Sequence, residues 1–260
     1  MATLSQIFIY PVKSCAGIEV PEAVVTSRGL QFDRHWMVID ENGLFVTQRE
    51  EPRMSQILLS ILKPGFEASF GSSRVYLDPL ESGPSQVVRV WNDDVKATVC
   101  RREVNDWFSG VLNRPVRVVK MSEDARRLVD QKFANKNDVV SFADGFPFLL
   151  LSQASIDELK SRLSQAGDVL RFRPNLVISG VSAHAEDGMD EFMISGIRFR
   201  CAKPCARCVI PTIDPASGKK DPEINKVLSK YRKFDGKILF GQNLVHLGSG
   251  TLQTGAKIEL

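Results

Sequence analysis

A mixed, β-rich α+β fold is what this sequence predicts, and three observations predict it. Short β-branched or alternating runs recur through the chain, with Pro, Gly and Asn-Gly breaks between them. Helical periodicity surfaces in only three separated places. No internal repeat or low-complexity tract interrupts the pattern. At 260 residues, with 43% apolar and 25% charged residues, the chain can bury a sizeable core as one large domain or two modest ones.

The strands come first. "SQIFIYPV", "GIEVPEAVV", "HWMVID", "LFVTQ", "RVYL", "QVVRVW" and "VKATVC" fill the first hundred residues, a spacing that predicts a small barrel or sandwich. Asn42-Gly43, between two of these runs, predicts a hairpin. In "EVNDWFSGVL" the residues Val104, Trp107, Phe108, Val111 and Leu112 recur at i, i+3, i+4, i+7 and i+8, the stripe of an amphipathic helix. The polar "SEDARRLVDQKFANKND" that follows reads as a linker and sets a boundary near residues 120–140. A second helix starts at Ser152 or Ser155, with Ser155 and Glu158 spaced for a capping box and Ile156, Leu159 and Leu163 facing inward. A third, "DPEINKVLSKY", takes Asp221 as N-cap and Pro222 in its first turn, and buries Ile224, Val227, Leu228 and Tyr231. Strands "LRFRPNLVISG", "FMISGIRFRC", "ILFGQNLVHL" and "GAKIEL" surround these helices.

Bulk properties exclude several functions. A net charge of only +3 gives no nucleic-acid footprint, so any anion site must be built locally. The N-terminus "MATLSQIFIYPVKSC" has no basic segment followed by a long apolar one, so no signal peptide is expected. "FPFLLL" falls far short of the roughly 20 apolar residues of a membrane span. Five cysteines, an odd number with Cys15 and Cys100 remote from the rest, do not suit a secreted disulfide framework. The expected setting is a reducing cytoplasm.

Three of those cysteines, Cys201, Cys205 and Cys208, fall within "CAKPCARCVIPTIDP". A structural zinc site wants about four ligands; the cluster offers three thiols, and His35, His184 and His246 are scattered. A dithiol redox pair sits at a helix N-terminus, whereas Val209, Ile210 and Pro211 read as extended chain. A single thiolate binding a metal carried by an organic cofactor is a third reading. Arg207 and Lys203 make an electropositive setting for it, and a soft thiolate suits a heavy, redox-active metal. Small buried hydrophobes at a strand end are the fourth.

Basic and polar residues form further clusters. Lys13 and Ser14 follow the first strand, without the glycines of a nucleotide P-loop. Arg34 stands between Asp33 and His35, and "TQREEPRM" adds Arg49 and Arg53. Arg173 and Asn175 flank Pro174 inside an apolar run, a poor place for an idle charge. Such arginines bind phosphate or carboxylate in bidentate fashion, and Asn offers donors and an acceptor to a heterocycle edge. Asp144 precedes a glycine in a turn, and Gln242 and Asn243 head a strand where they can serve the backbone. No Ser-His-Asp order, HExxH, GxSxG or paired-carboxylate pattern stands in a convincing context.

Seven stretches in order, "IYPVKSCAG", "GLQFDRHWMVID", "VTQREEPRM", "SFADGFPFLLLSQAS", "RFRPNLVISG", "KPCARCVIPTIDPASG" and "LFGQNL", resemble the MOSC-domain proteins with an N-terminal MOSC β-barrel domain. That family is similar to this chain through the mitochondrial amidoxime-reducing component and the enterobacterial MOSC–ferredoxin fusion that detoxifies N-hydroxylated base analogues. The resemblance implies a barrel-like N-terminal domain over residues 1–120, packed on a MOSC core β-barrel domain over 121–260 with a few helices. It implies a molybdenum cofactor (Mo-molybdopterin) with one cysteine ligand to the metal, the last of "CxRC", here Cys208. Lys13 and Ser14 match its phosphate-binding pair, Arg34 its cofactor-contacting arginine, and Arg173 and Asn175 its pterin-contacting residues. Ala206 and Arg207 match the positions just before the ligand, and Asp144 matches one near the metal's solvent face, where it could relay a proton.

The implied activity is reduction of hydroxylamines, amidoximes and N-hydroxylated base analogues. The chain ends at "GAKIEL" without the cysteine set of a ferredoxin domain. The resemblance therefore implies a separate electron-donor protein of reductase, ferredoxin or cytochrome type, with a small-molecule substrate, no nucleic acid and no membrane span. MOSC domains also end the cofactor sulfurases, so the alternative is a carrier of cofactor or sulfur without turnover.

Overall fold

The computed structural model of the chain describes residues 1–164 and 168–260. β1 (Thr3–Ile9) pairs with the short β2 (Ile18–Val20); β3 (Glu22–Thr26) and β4 (Gly29–Leu30) turn back on each other, and β5 (Trp36–Ile39) follows. Beyond a 3-10 turn at Pro52–Gln56, β6 (Leu58–Leu62), β7 (Gly65–Phe70) and β8 (Ser73–Leu77) form an antiparallel meander. β9 (Ser85–Val90) and β10 (Asp93–Val99) form a hairpin, α1 (Arg102–Leu112) crosses over, and β11 (Arg117–Met121) pairs with both β10 and β5.

The second half contributes β12 (Phe148–Ser152), α2 (Gln153–Ser161), β13 (Leu176–Ser179), β14 (Glu191–Ile194) and β15 (Ile197–Ala206). It closes with α3 (Glu223–Tyr231), β16 (Lys233–Phe234), β17 (Lys237–Leu247), β18 (Gly250–Gln253) and β19 (Ile258–Glu259).

The main sheet runs β19-β14-β15-β17-β12-β13-β1-β2, with β16 beside β17. β12 and β13 are parallel, which requires a crossover between them, and α2 lies in that crossover. The N-terminal strand thus belongs to a sheet made mostly by the second half of the chain, and β18 in turn pairs with β3. The sheet curls strongly: Gly255 N donates to Leu4 O at 2.7 Å and Ile258 N to Ala2 O at 3.0 Å, which brings the C-terminal edge against β1. The β-rich fold with a few helices is as the sequence predicts. Its barrels take the form of this curled sheet and three smaller ones, not of two rings of uninterrupted ladders.

Local differences have local causes. α1 forms on its predicted stripe, burying Val104, Phe108 and Leu112, and ends on Asn113 in the left-handed conformation. α2 is capped by Ser152, whose Oγ accepts from Ser155 N at 3.1 Å. Ser155 is therefore inside the helix, its hydroxyl on Glu186 at 2.8 Å, and no Ser155–Glu158 capping box forms. At α3 the N-cap is Pro222, while the Asp221 carboxylate still accepts from Glu223 N at 2.9 Å. The Asn42-Gly43 turn is present with Gly43 at φ 78°, but its returning arm is only a bridge of Phe45 to Ile39 and a Val46 N to Val38 O bond before the chain leaves at Thr47.

The polar stretch after β11 is not slack chain. Arg127 is buried there, pairs with Asp93 at 2.7 Å, and donates to the carbonyls of Ser141, Ala143 and Asp144. It thereby fixes the loop that carries Asp144. Among the described residues no helix is long and apolar enough to cross a membrane.

The cap assignment predicts a contrast. Ser152→Ala should lower stability by about 1–2 kcal/mol, whereas Glu158→Gln should cost less than about 0.5 kcal/mol, both read from urea denaturation midpoints.

Candidate functional site

Five short segments, each at or just beyond the end of a strand, meet at one cleft: residues 10–15 after β1, 33–34 before β5, 142–144 before β12, 172–175 before β13, and 205–208 at the end of β15. Backbone bonds tie them together. Arg34 N donates to Tyr10 O at 2.8 Å, Phe142 N to Arg34 O at 3.1 Å, and Asn175 N to Leu149 O at 2.8 Å. The cleft therefore gathers residues far apart in sequence because the sheet places the ends of their strands side by side. All nine predicted site residues, Lys13, Ser14, Arg34, Asp144, Arg173, Asn175, Ala206, Arg207 and Cys208, line it.

The inner wall is built on Tyr10. Its ring is fully buried, with the Arg34 guanidinium 4.2 Å and the Arg173 guanidinium 4.3 Å from its centre. Burial pushes the Tyr10 hydroxyl above its ordinary pKa against the pull of both arginines, so it stays protonated and donates to Pro174 O at 3.0 Å. Arg34 Nη1 grips both oxygens of Asp33 at 2.8 and 2.6 Å and reaches Asn175 Oδ1 at 3.1 Å. Asn175 spends its amide on Phe8 O, Leu149 N and Arg34, so it braces the wall from behind. Arg173 donates to Cys15 O at 2.7 Å. Burial and the nearby Arg34 pull its pKa down to about 10, which leaves it charged at neutral pH.

The outer end holds Lys13, Asp144 and Arg49. Lys13 Nζ donates to Phe142 O at 2.8 Å and to Asp144 Oδ1 at 2.6 Å; Arg49 Nη2 meets Asp144 Oδ2 at 3.2 Å. Burial lowers the Lys13 pKa to about 8 even against the Asp144 salt bridge, with Arg127 and Arg34 adding to the fall. On the half-exposed Asp144 the balance is reversed. Burial works against its charge, but Lys13 and Arg49 outweigh it and hold the carboxyl well below the usual range. These salt bridges keep Asp144 anionic at neutral pH.

The three thiols of the cluster have different surroundings. Cys201 packs against the main core, and burial raises its pKa to about 12. Cys205 Sγ accepts from Arg207 Nη1 at 2.9 Å, so the arginine expected to attend Cys208 faces its neighbour. Cys208 is exposed at the lip, its Sγ accepting from Ile210 N at 3.4 Å. The residues after it form a 3-10 turn, Ile210–Thr212, where the sequence reads as extended. Among the described residues no three His, Cys, Asp or Glu side chains gather closely enough to hold a metal ion by themselves.

Two buried donors in this cleft have no partner among the described residues: Arg173 Nη2 and Arg207 Nε. Buried guanidinium N–H groups are rarely left unpaired. Orphan cationic donors, Lys13 and an exposed soft thiol form a donor set that suits a polyanionic, metal-bearing organic cofactor. Three of the lining residues, Ser14, Arg34 and Arg173, hold left-handed backbones at φ 71°, 49° and 57°, strain of the kind that collects at ligand sites. Sequence reasoning did not assign Tyr10, Arg49 or Trp91 to the site. "TQREEPRM" was a usable signal for Arg49, while a tyrosine inside an apolar strand and a tryptophan in a turn carry none.

Two family profiles match the chain: the MOSC N-terminal beta barrel domain over residues 1–115 and the MOSC domain over residues 137–259. The chain is 34% identical over 282 residues to mitochondrial amidoxime-reducing component 1 of Homo sapiens, covering 100% of this chain and 83% of that protein. It is 32% identical over 251 residues to mitochondrial amidoxime reducing component 2 of Bos taurus, covering 90% and 74%. It is also 30% identical over 266 residues to molybdenum cofactor sulfurase of Bos taurus, covering 94% of this chain and 30% of that protein.

The lowered pKa of Lys13 predicts a pH step. Lys13 is cationic below about 8 and neutral above it, so anion affinity should be full at neutral pH and lost as pH rises through that value. Calorimetric titration with sulfate, which does not itself titrate there, should show affinity falling roughly tenfold between about pH 7 and pH 9. Lys13→Met should bind weakly and show no such step.

Proposed function

Because the chain belongs to the MOSC family, with the N-terminal barrel domain followed by the MOSC domain, we propose that it is a molybdenum-cofactor-dependent oxidoreductase. Its substrates are N-hydroxylated compounds: hydroxylamines, amidoximes and N-hydroxylated base analogues. The observation that carries this reading is the cleft, where unpartnered buried guanidinium N–H groups converge with an exposed cysteine thiol. Kinship with proteins named amidoxime-reducing components supports the substrate class. The profile matches support a division into residues 1–120 and 121–260, and we place the protein in a reducing compartment, the cytoplasm.

In this reading Lys13 and Ser14 take the cofactor's phosphate, and Arg34, Arg173 and Arg207 its polar heterocycle. Asn175 holds Arg34 in position from behind. Ala206 keeps the floor free of side-chain bulk beside Cys208, which ligates the metal. When bound, the cofactor supplies a redox-active metal able to pass electrons to an N–O bond. Each N–O bond broken consumes two electrons and two protons and releases water, and a separate donor protein provides the electrons. Any proton relay through Asp144 runs along the Lys13 Nζ–Asp144 Oδ1 contact, with Lys13, whose pKa is about 8, as the member that can lose a proton near neutrality. The buried aromatic and guanidinium wall keeps water from the cofactor's inner face.

A second reading, delivery of cofactor or sulfur, draws on the likeness to molybdenum cofactor sulfurase. Tight cofactor binding with transfer to an apo-enzyme, and no turnover of an amidoxime, would favour it.

Protein from a cofactor-competent host should contain near-stoichiometric molybdenum and pterin and should turn over a test amidoxime with an artificial reductant. Wild-type protein devoid of both would sink the oxidoreductase reading. Cys208→Ser should lose about a hundredfold or more in turnover while retaining pterin. Arg173→Lys, which gives up the planar fork, should lower pterin content by roughly tenfold, read by fluorescence of the released pterin.

A further inference from the structure

β9 and β10 are joined by two residues, Trp91 and Asn92. A two-residue hairpin loop with a left-handed first position is a place for glycine, asparagine or aspartate. Trp91 occupies it at φ 57°. A bulky residue keeps such a backbone only where its surroundings over-determine it. Burial is not that cause, because Trp91 is 46% exposed.

What the indole touches is the cleft. The Arg49 guanidinium lies 4.8 Å from the ring centre, Phe45 packs at 5.1 Å, and Nε1 donates to Asp144 Oδ1 at 3.3 Å. Arg49 and Asp144 both line the cleft and pair at 3.2 Å. Without the indole, Arg49 would be a long flexible side chain on one half-exposed carboxylate, a weak restraint.

We propose that Trp91 is a positioning residue for substrate: it locks Arg49 and Asp144 into one rigid rim that presents a hydrogen-bond donor beside an acceptor. Such a rim matches a small, planar, neutral amidoxime, whose nitrogen accepts while its hydroxyl and amino groups donate. It discriminates against cationic amines, which Arg49 repels. This deepens the reading of the same cleft given above and rests on it for the substrate class.

The test uses benzamidoxime with wild type, Trp91→Gly, Trp91→Phe, Arg49→Gln and the Trp91→Gly/Arg49→Gln double variant of the cofactor-loaded protein. Binding is measured by calorimetry without reductant, and turnover with reductant. Trp91→Gly suits the turn, so its Tm should lie within about 2 °C of wild type or above it. Its Kd and KM should nevertheless rise about fivefold or more, with kcat within about twofold. Trp91→Phe, which keeps the stack and loses the N–H, should fall between. The double variant should bind no more weakly than Arg49→Gln alone, because both act through one element.

Trp91→Gly binding within about twofold of wild type, or additive losses in the double variant, would overturn the proposal. A less stable Trp91→Gly that binds normally would do the same, since a purely structural turn gives that result. Wild type that binds benzamidoxime tightly, with the variant pattern above but no turnover, would sink the oxidoreductase reading and support the rim. Wild type that does not bind it would overturn the rim.

Discussion

Two guanidinium groups, those of Arg34 and Arg173, lie within 4.3 Å of the centre of the same buried ring, Tyr10, and much of the surrounding structure keeps them there. Like charges in a desolvated place repel each other and resist burial, as the lowered pKa of Arg173 records. The opposing terms are local. Asp33 holds Arg34 through both carboxylate oxygens, Arg34 also donates to the carbonyl of Arg173, and Arg173 donates to that of Cys15. The tyrosine ring receives both cations while its hydroxyl ties to Pro174 O. Three chain segments, after β1, before β5 and before β13, are fastened by this one arrangement, so the inner wall of the cleft and the packing of the main sheet stand or fall together.

Around that node the backbone is held in unfavourable conformations. Ser14, Arg34, Arg173 and Trp91 all sit in the left-handed region without being glycine. Each costs folding free energy that the hydrogen-bond network and aromatic contacts must offset. Such positions lend themselves to stabilising substitutions that harm function. The strain is also informative, because at positions where glycine would be less strained the chain carries a serine, two arginines and a tryptophan that line the cleft or touch its lining residues.

Charge is distributed unevenly along the cleft, and that distribution shapes its chemistry. Lys13, Arg34, Arg49, Arg173 and Arg207 outnumber Asp144 and the Asp33 paired with Arg34, so the interior is cationic although the whole chain carries only +3. Asp144 does not neutralise the interior; it orients Lys13 and Arg49 at the outer end. Cys208 then stands as an exposed thiol at the lip, while Arg207 attends Cys205 and Cys201 is packed away. Spacing alone makes the three thiols look alike, but their environments separate them.

Much of this was legible in the sequence. The β-rich class, the apolar stripe of α1, the inward faces of α2 and α3, and the residue types gathered at the site follow from period, turn chemistry and motif, which are local properties. Partners were not legible where they depend on the path of the sheet. Lys13 meets Asp144 across 131 positions and Arg34 meets Asn175 across 141, because β1, β12 and β13 lie side by side. The same cause turned the charged stretch around Arg127 from a linker into the anchor of the Asp144 loop, and decided between the two candidate starts of α2 in favour of Ser152, since Ser155 is engaged with Glu186 and forms no capping box with Glu158. By itself the sequence determined which chemical groups the protein possesses and which local shapes carry them. Only the tertiary structure decided which charge faces which, because an ion pair or a stacked ring is set by distance in space, and distance in space is fixed by strand order and not by spacing along the chain.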